Sequence, residues 1–543
     1  MKRFIGETHR LSRPKLRRRG RLFNDPVAAV ESLEDRVLLS NVSVAGSTLV
    51  INGTSGADGV WIKGVGSEIR VRISEGSQTI SVQNYSAADV NRLRINGRAG
   101  DDHIVNKTDI FDTIVGGAGN DILFAGGGTS LVFGGGGTDL VFGGTGGDFL
   151  SGGGGNDGIL GGAGRDTLRG DVGNDRLFGQ ANRDRVLGGA DNDFIRGGSG
   201  NDLIFGEAGI DRIRGEAGID RIDGGDDSDR LLGQGDADLI IGGLGDDIVV
   251  GGVGNDIMVG DNNIEGPTDS ADIILGGFGD DFMVGGGGND FLGGMAGNDI
   301  ILGQGGEDAV RGDDGDDWLS AGEGDDILIN GGGGNDTLVE TGNVNYELED
   351  AELRTFESET TVINSRLLTI EALEAIEEAI LTGGAGNNRL DAFRFTAGPV
   401  TLSGGGGDDR LAGTNDNDRI VGGAGADELF GNLGKDYLDG GKGDDELAGG
   451  HGGDEMHGGI GNDAIDGGRF RSDQTTGDGV DSIFGGPGDD RIDGDKLTDF
   501  IDGGDGDDTA RTPGGDNLSD DLATGTVENT QSTPLTTPPW PAI

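Results

Sequence analysis

The chain has 543 residues with 117 Gly, no Cys and 5% aromatic residues, a balance too rich in Gly and too poor in bulk for one ordinary globular core. Its formal charge of −57 repels nucleic acid and anionic lipid, so a folded state needs counter-cations or sparse burial. The absence of Cys removes disulfide frameworks and thiolate metal sites. In chain order, residues 1–40 are a basic leader that turns mildly apolar. Nine Lys and Arg fall in the first 21 positions beside one acid, Glu7, leaving 32 basic against 97 acidic residues for the rest. No run there reaches the roughly 7 to 15 apolar residues of a secretory core, and no stretch anywhere approaches the roughly 18 of a membrane helix, so a membrane span is excluded. Residues 41–95 alternate in "STLVING", "VWIKGV" and "EIRVRISE" and read as strands that cap the N-terminal end of a longer array.

Residues 96–340 repeat with a period of nine. From "GGAGNDILF" (Gly116 to Phe124), the sixth position falls at Asp121, Ser130, Asp139, Asp148, Asp157, Asp166, Asp175, Asp184, Asp193, Asp202, Asp211, Asp220, Asp229, Asp238, Asp247 and Asp256. After an insertion around "NNIEGPT" the phase resumes at Asp272, Asp281, Asp290, Asp299, Asp308, Asp317 and Asp326, and one further residue precedes Asp336. In the sixteen units up to Asp256 the fourth position is Gly except at Asn182, Asp191, Asp227 and Asp236, the residue types that best tolerate positive φ, so this site is left-handed. The eighth is always aliphatic or Met, from Leu123 to Met258, while the seventh and ninth vary freely. Each unit therefore reads as a six-residue turn and a three-residue strand with its middle side chain buried. Arg176, Arg185, Arg212, Arg221 and Arg230 at position seven and Arg169, Arg196 and Arg214 at position nine project outward, as do Phe124, Phe133, Phe142 and Leu160.

One such strand cannot bury its face alone, but stacked copies form an aliphatic column, and two nonapeptides make one turn of a parallel β-solenoid. The inward residue is worth roughly 1.5 to 3 kcal/mol. Ordering nine residues costs roughly 1 to 2 kcal/mol apiece. Burial loses that comparison, so the carboxylates and turn carbonyls must recruit a hard, oxygen-seeking cation, for which Ca²⁺ is the candidate.

Residues 341–403 lose the phase. Ile370, Leu373, Ile376 and Ile380 in "TIEALEAIEEAIL" stand at helical spacing, whereas "TTVINS" and "PVTLSG" read as extended. A second block, 404–510, carries Asp409, Asp418, Asp427, Asp436, Asp445, Asp454 and Asp463, misses one unit, and continues at Asp481, Asp490, Asp499 and Asp508. The tail, 511–543, is rich in Pro and Thr and reads as disordered.

"GGAGNDILF", "GGVGNDIMV" and "GGFGDDFMV" resemble G-G-x-G-x-D-x-U-x, the RTX (haemolysin-type) calcium-binding nonapeptide repeat. The resemblance implies an all-β parallel β-roll in two blocks. It also implies multiple Ca²⁺ ions shared between successive turns through the position-six aspartates above and backbone carbonyls, and a chain disordered until calcium arrives. Ser130 and the missing unit before Asp481 depart from the pattern. "GTSGAD" (Gly53 to Asp58) and "GRAGDD" (Gly97 to Asp102) resemble outlying copies. "LEDRVLLS" (Leu33 to Ser40) is similar to the LEPR-x-LL signature of some large bacterial surface and secreted proteins, with Asp35 in place of Pro. The tail lacks the amphipathic helix of a type I secretion signal.

For catalysis there is little: four His, no H-E-x-x-H, no G-x-S-x-G and no P-loop. His451 and His457 straddle Asp454 but read as outward side chains rather than a metal pair. The expectation is a non-enzymatic, calcium-binding, secreted or cell-surface repeat protein of structural or adhesive role, whose partners are calcium ions and a surface polysaccharide or another surface protein, and not nucleic acid. The alternatives are a calcium-dependent carbohydrate-active enzyme of lyase or epimerase type, and the repeat portion of a haemolysin-like toxin.

Overall fold

The computed structural model describes residues 41–511 except 76–77, 262–269, 324–325, 327, 342–343, 350–351, 358–366, 375, 469–479 and 495–498, together with 517–518. The basic leader, 1–40, and nearly all of the tail lie outside the described residues. Every described element is a strand, so among these residues no helix is long and apolar enough to cross a membrane.

The nine-residue period becomes an 18-residue coil. Phe194 pairs with Arg176 behind it and with Arg212 ahead, all in parallel register, while the intervening strand Arg185–Ala190 joins the opposite sheet. Alternate strands thus enter one 24-stranded sheet and those between them a second, facing one. Side chains at position eight fill the space between: all sixteen from Leu123 to Met258 are 0% exposed and belong to one apolar cluster. The alternation rule for strands places positions seven and nine outside, and in these sixteen units they are half-buried or exposed; in the second block Ala412, Phe430 and Ala448 at position nine form a small buried cluster of their own.

The strands are longer than the residue pattern suggests. In Gly158–Ala163 and Arg212–Ala217 the ladder runs on from position nine through positions one to three, so each strand has six residues and the turn only three. The periodicity argument fails there because positions one to three carry Gly or surface residues; backbone pairing needs no side chain to continue. Left-handed φ occurs at position four as expected, with Asn182 at 76°, Asp191 at 75°, Asp227 at 73° and Asp236 at 69°; Gly128 and Gly146 are the exceptions in this stretch. It occurs also at position two, where Gln180 (81°), Glu207 (77°) and Glu216 (80°) accept it.

At the N-terminal end, Asp58–Val65, Glu68–Glu75 and Gln78–Ser86 form an antiparallel meander. Asp58–Val65 pairs parallel with His103–Lys107, so the meander continues one sheet, while the hairpin Asn41–Ala45 and Thr48–Asn52 pairs with Arg92–Ala99 and continues the other; together they cover edges that otherwise expose unpaired backbone groups.

The helical spacing of Ile370, Leu373, Ile376 and Ile380 does not produce a helix. The segment forms strands Leu367–Glu374 and Glu378–Thr382, the second of which pairs with Thr337–Thr341 on one side and Val400–Gly406 on the other. Helix propensities are worth a few tenths of a kcal/mol per residue, less than the backbone pairs offered by two open coil edges. Insertions elsewhere leave the stacking intact. The coil containing 262–269 spans 25 residues between equivalent aspartates, and the one containing 469–479 spans 27.

Outward residues form ladders of their own. Phe124 and Phe142 stack with ring centroids 4.2 Å apart, Arg196 lies 5.2 Å over the Phe194 ring, and Arg196 and Arg169 reach Glu216 and Asp171 at 3.6 and 3.1 Å. Such solvent-facing ion pairs contribute little stability.

Candidate metal centre

The position-six aspartates stand in two rows along the coil axis, one beside each sheet. All thirty-four, from Asp121 to Asp508, are at most 4% exposed. Their carboxylates connect successive coils: the Asp184 N–H donates to Oδ1 of Asp202, and the Asp202 N–H donates to Oδ1 of Asp220, both at 2.7 Å. The same bond joins Asp121 to Asp139, Asp247 to Asp272 and Asp436 to Asp454.

The second oxygen is different. Oδ2 of Asp139, Asp166, Asp202, Asp220, Asp290 and Asp436, among many others, is buried without a hydrogen-bond partner. An isolated buried carboxylate oxygen is costly, and a column of them at successive coils is costlier still because the charges repel. Burial pushes the Asp220 carboxyl up to about 8, with the charges of Asp202 and Asp238 adding to the rise against the backbone hydrogen bond from Asp202. Burial likewise raises Asp229, Asp272 and Asp436 to about 8, and Asp202, where the Arg183 charge opposes it, to about 6.

Glycine at position one makes room for these oxygens. A Cβ at Gly161 would stand 2.6 Å from Oδ2 of Asp166 and 2.8 Å from the carbonyl oxygen of Gly179 in the next coil. At positions two and four, a Cβ on Gly162 or Gly164 would collide with the carbonyl oxygens of Gly144 and Gly146. Carbonyl and carboxylate oxygens therefore converge on the gap between coils. Among the described residues no three His, Cys, Asp or Glu side chains gather as a metal cluster, so any ion there takes one or two carboxylates and completes its shell from the backbone. An all-oxygen shell of this kind suits Ca²⁺ and offers nothing to a thiophilic or imidazole-seeking metal.

The profile of the RTX calcium-binding nonapeptide repeat matches residues 111–264, 268–338, 396–471 and 475–510. The chain belongs to this RTX repeat family. No individual curated protein matches it. As an RTX protein it is a calcium-binding repeat solenoid, and the orphaned Oδ2 atoms with their facing carbonyls fit the ion that the family implies.

The RTX rows extend beyond the matched units. Asp58 donates its N–H to Oδ1 of Asp102, which donates to Asp121, so the outlying "GTSGAD" and "GRAGDD" copies join one row. Asp112 pairs in register with Ser130 at the head of the other; its position 18 residues before Ser130 was the available signal. Ser130 itself is fully buried, donates its N–H to Asp148 and directs its hydroxyl to the Gly128 carbonyl, so it keeps the ladder but brings no carboxylate. Through the non-repeat stretch the ladder runs from Asp336 to Glu377 Oε2, and resumes from Asn388 to Asp409 and from Val400 to Asp418. Nothing in the local sequence marks Glu377, which strand register alone brings there, whereas Val400 stands 18 residues before Asp418, in phase with the second block. His457 stacks on Phe484 at 4.8 Å and meets Glu455 at 3.0 Å on the outer face.

Gly161→Ala should weaken calcium binding locally. The added Cβ competes with Oδ2 of Asp166 for the same space, an overpacking cost of about 1–3 kcal/mol. We expect a higher calcium midpoint for hydrogen-exchange protection of peptides around 158–181, with distant coils unchanged because each coil touches only its neighbours.

Proposed function

We propose that the protein is exported and works outside the cell as a structural or adhesive element that folds when it meets calcium, each ion lying between coils on position-six carboxylates and turn carbonyls. The observation that carries this is the column of buried Oδ2 atoms without hydrogen-bond partners. Aspartates such as Asp139, Asp202, Asp220 and Asp436 hold the ions, and backbone carbonyls at positions two and four of the neighbouring coil complete the shells. Calcium supplies the charge neutralisation that lets like-charged coils stack. Sites built from carbonyls and one or two carboxylates bind at about 10⁻⁴ to 10⁻³ M in extracellular modules, so they stay empty in cytosol and fill outside.

In this reading residues 1–40 are the export address, 41–95 the cap, 96–340 and 404–510 the two calcium-dependent blocks, 341–403 a spacer, and 511–543 a tail. The protein acts without catalysis, and its outer ladders of Arg and aromatic side chains face a surface polysaccharide or another surface protein.

Fractionation of cells producing the full chain with an epitope tag tests the export reading. The tagged chain should appear in the medium or at the surface, and a version lacking residues 1–40 should stay inside. Full-length chain retained in the cytosol would overturn export while leaving calcium binding untouched.

A further inference from the structure

The turns are not equivalent. In the repeat consensus, position two is Gly in the left-handed region, as at Gly423 with φ of 115°. The turn 413–418 reads G-T-N-D-N-D and places Thr414 there. Thr414 does not join the left-handed residues, and the strand before it stops early, at Arg410–Ala412. Freed from the ladder, the Thr414 N–H donates to Oδ2 of Asp418 at 2.6 Å, and its Oγ1 lies 3.0 and 3.2 Å from Asp418 Oδ1 and Oδ2. Oγ1 in turn accepts the Asp416 N–H at 3.0 Å. Oδ1 of Asp418 receives the Val400 N–H at 2.8 Å.

Both Asp418 oxygens are therefore hydrogen-bonded by the chain. The carboxylates before and after, Asp409, Asp427 and Asp436, keep an Oδ2 that is buried and without a hydrogen-bond partner. The coil preceding Asp418 carries Val400 in its row, so no second carboxylate faces it from that side. The same device recurs at the N-terminal end of the roll: in G-T-S-G-A-D the Thr54 N–H and Oγ1 reach Oδ2 of Asp58 at 2.5 and 3.0 Å. There Oδ1 stays without a hydrogen-bond partner, so of these two turns it is the one at Asp418 whose carboxylate is fully closed.

We infer that Thr414 occupies, with its amide and hydroxyl, the role that a calcium ion plays in the other turns, so that the turn 413–418 binds no ion and the row restarts there independently of calcium. This rests on the calcium reading above, and it takes Asp418 out of the set of metal ligands that the nine-residue spacing suggests. The physical reason is that a carboxylate with both oxygens hydrogen-bonded, and with no carboxylate facing it from the preceding coil, has neither the free oxygen nor the charge density to hold a hard cation.

Long-wavelength anomalous maps of calcium-loaded crystals of the full chain test this directly. Peaks are expected beside Oδ2 of Asp427 and Asp436 and none at Asp418. A comparable peak at Asp418 would overturn the inference, whereas an absence of peaks in every turn would remove the calcium reading itself. A solution measurement separates the stand-in role from mere tolerance. Thr414→Val at saturating calcium should lower the melting temperature by a few degrees and Thr414→Ser should not; an unchanged Val variant would also overturn it.

Discussion

Circular dichroism of the full chain in excess chelator is expected to show coil, and millimolar Ca²⁺ to restore the strand signal while Mg²⁺ at the same concentration does not. The expectation comes from the weakness of everything else that holds the coils. One aliphatic side chain per nine residues faces the core, which is worth roughly 1.5 to 3 kcal/mol per unit against backbone ordering of about 1–2 kcal/mol for each residue. Each site with a dissociation constant of about 10⁻⁴ to 10⁻³ M adds about 1.4 to 2.7 kcal/mol at 10 mM calcium. Ligand binding of that size in every turn, with removal of carboxylate repulsion, shifts the balance over a whole row. Mg²⁺ is smaller, demands octahedral geometry and sheds water reluctantly, so a loose shell of carbonyls suits it poorly. Ordered strand in excess chelator at pH 8 would contradict the proposed role of the ion.

Without calcium, lowering the pH should partly replace it. Burial raises the folded-state pKa of Asp220, Asp229, Asp272 and Asp436 to about 8, with neighbouring carboxylates contributing, and that of Asp202 and Asp427 to about 6. An unfolded Asp titrates near 3.9. A raised folded pKa means that the folded chain binds more protons than the unfolded one between those values. The stabilisation is therefore fully present below about pH 4 and is lost as pH rises through 6 to 8. Strand signal in chelator should accordingly increase from pH 8 to pH 5, and the calcium midpoint should rise over the same interval as protons compete for the oxygens. A chelated chain equally unfolded at pH 5 and pH 8 would show that protonation of these carboxylates does not relieve the repulsion.

Much of this architecture is legible in the residue pattern because its causes are local and repeated. Only a residue that tolerates positive φ fits position four, as Asn182 and Asp227 show, and only an aliphatic or Met side chain fits the inward position eight, so each unit declares its own shape. The 18-residue coil, the two facing sheets and the rows of aspartates follow from that alone. What stacking alone decided is of another kind. Strand length depends on backbone pairing through Gly-rich positions that carry no apolar alternation. The strand at Leu367–Glu374 exists where helical spacing points elsewhere, and Glu377 enters the ladder, because open coil edges on both sides supply pairing partners that a single segment cannot advertise. The inequality of the turns is likewise tertiary. Asp418 and Asp427 have the same spacing, yet one carboxylate is closed by Thr414 and the other keeps a buried, unpaired oxygen, since that outcome depends on where the adjacent coil places its backbone.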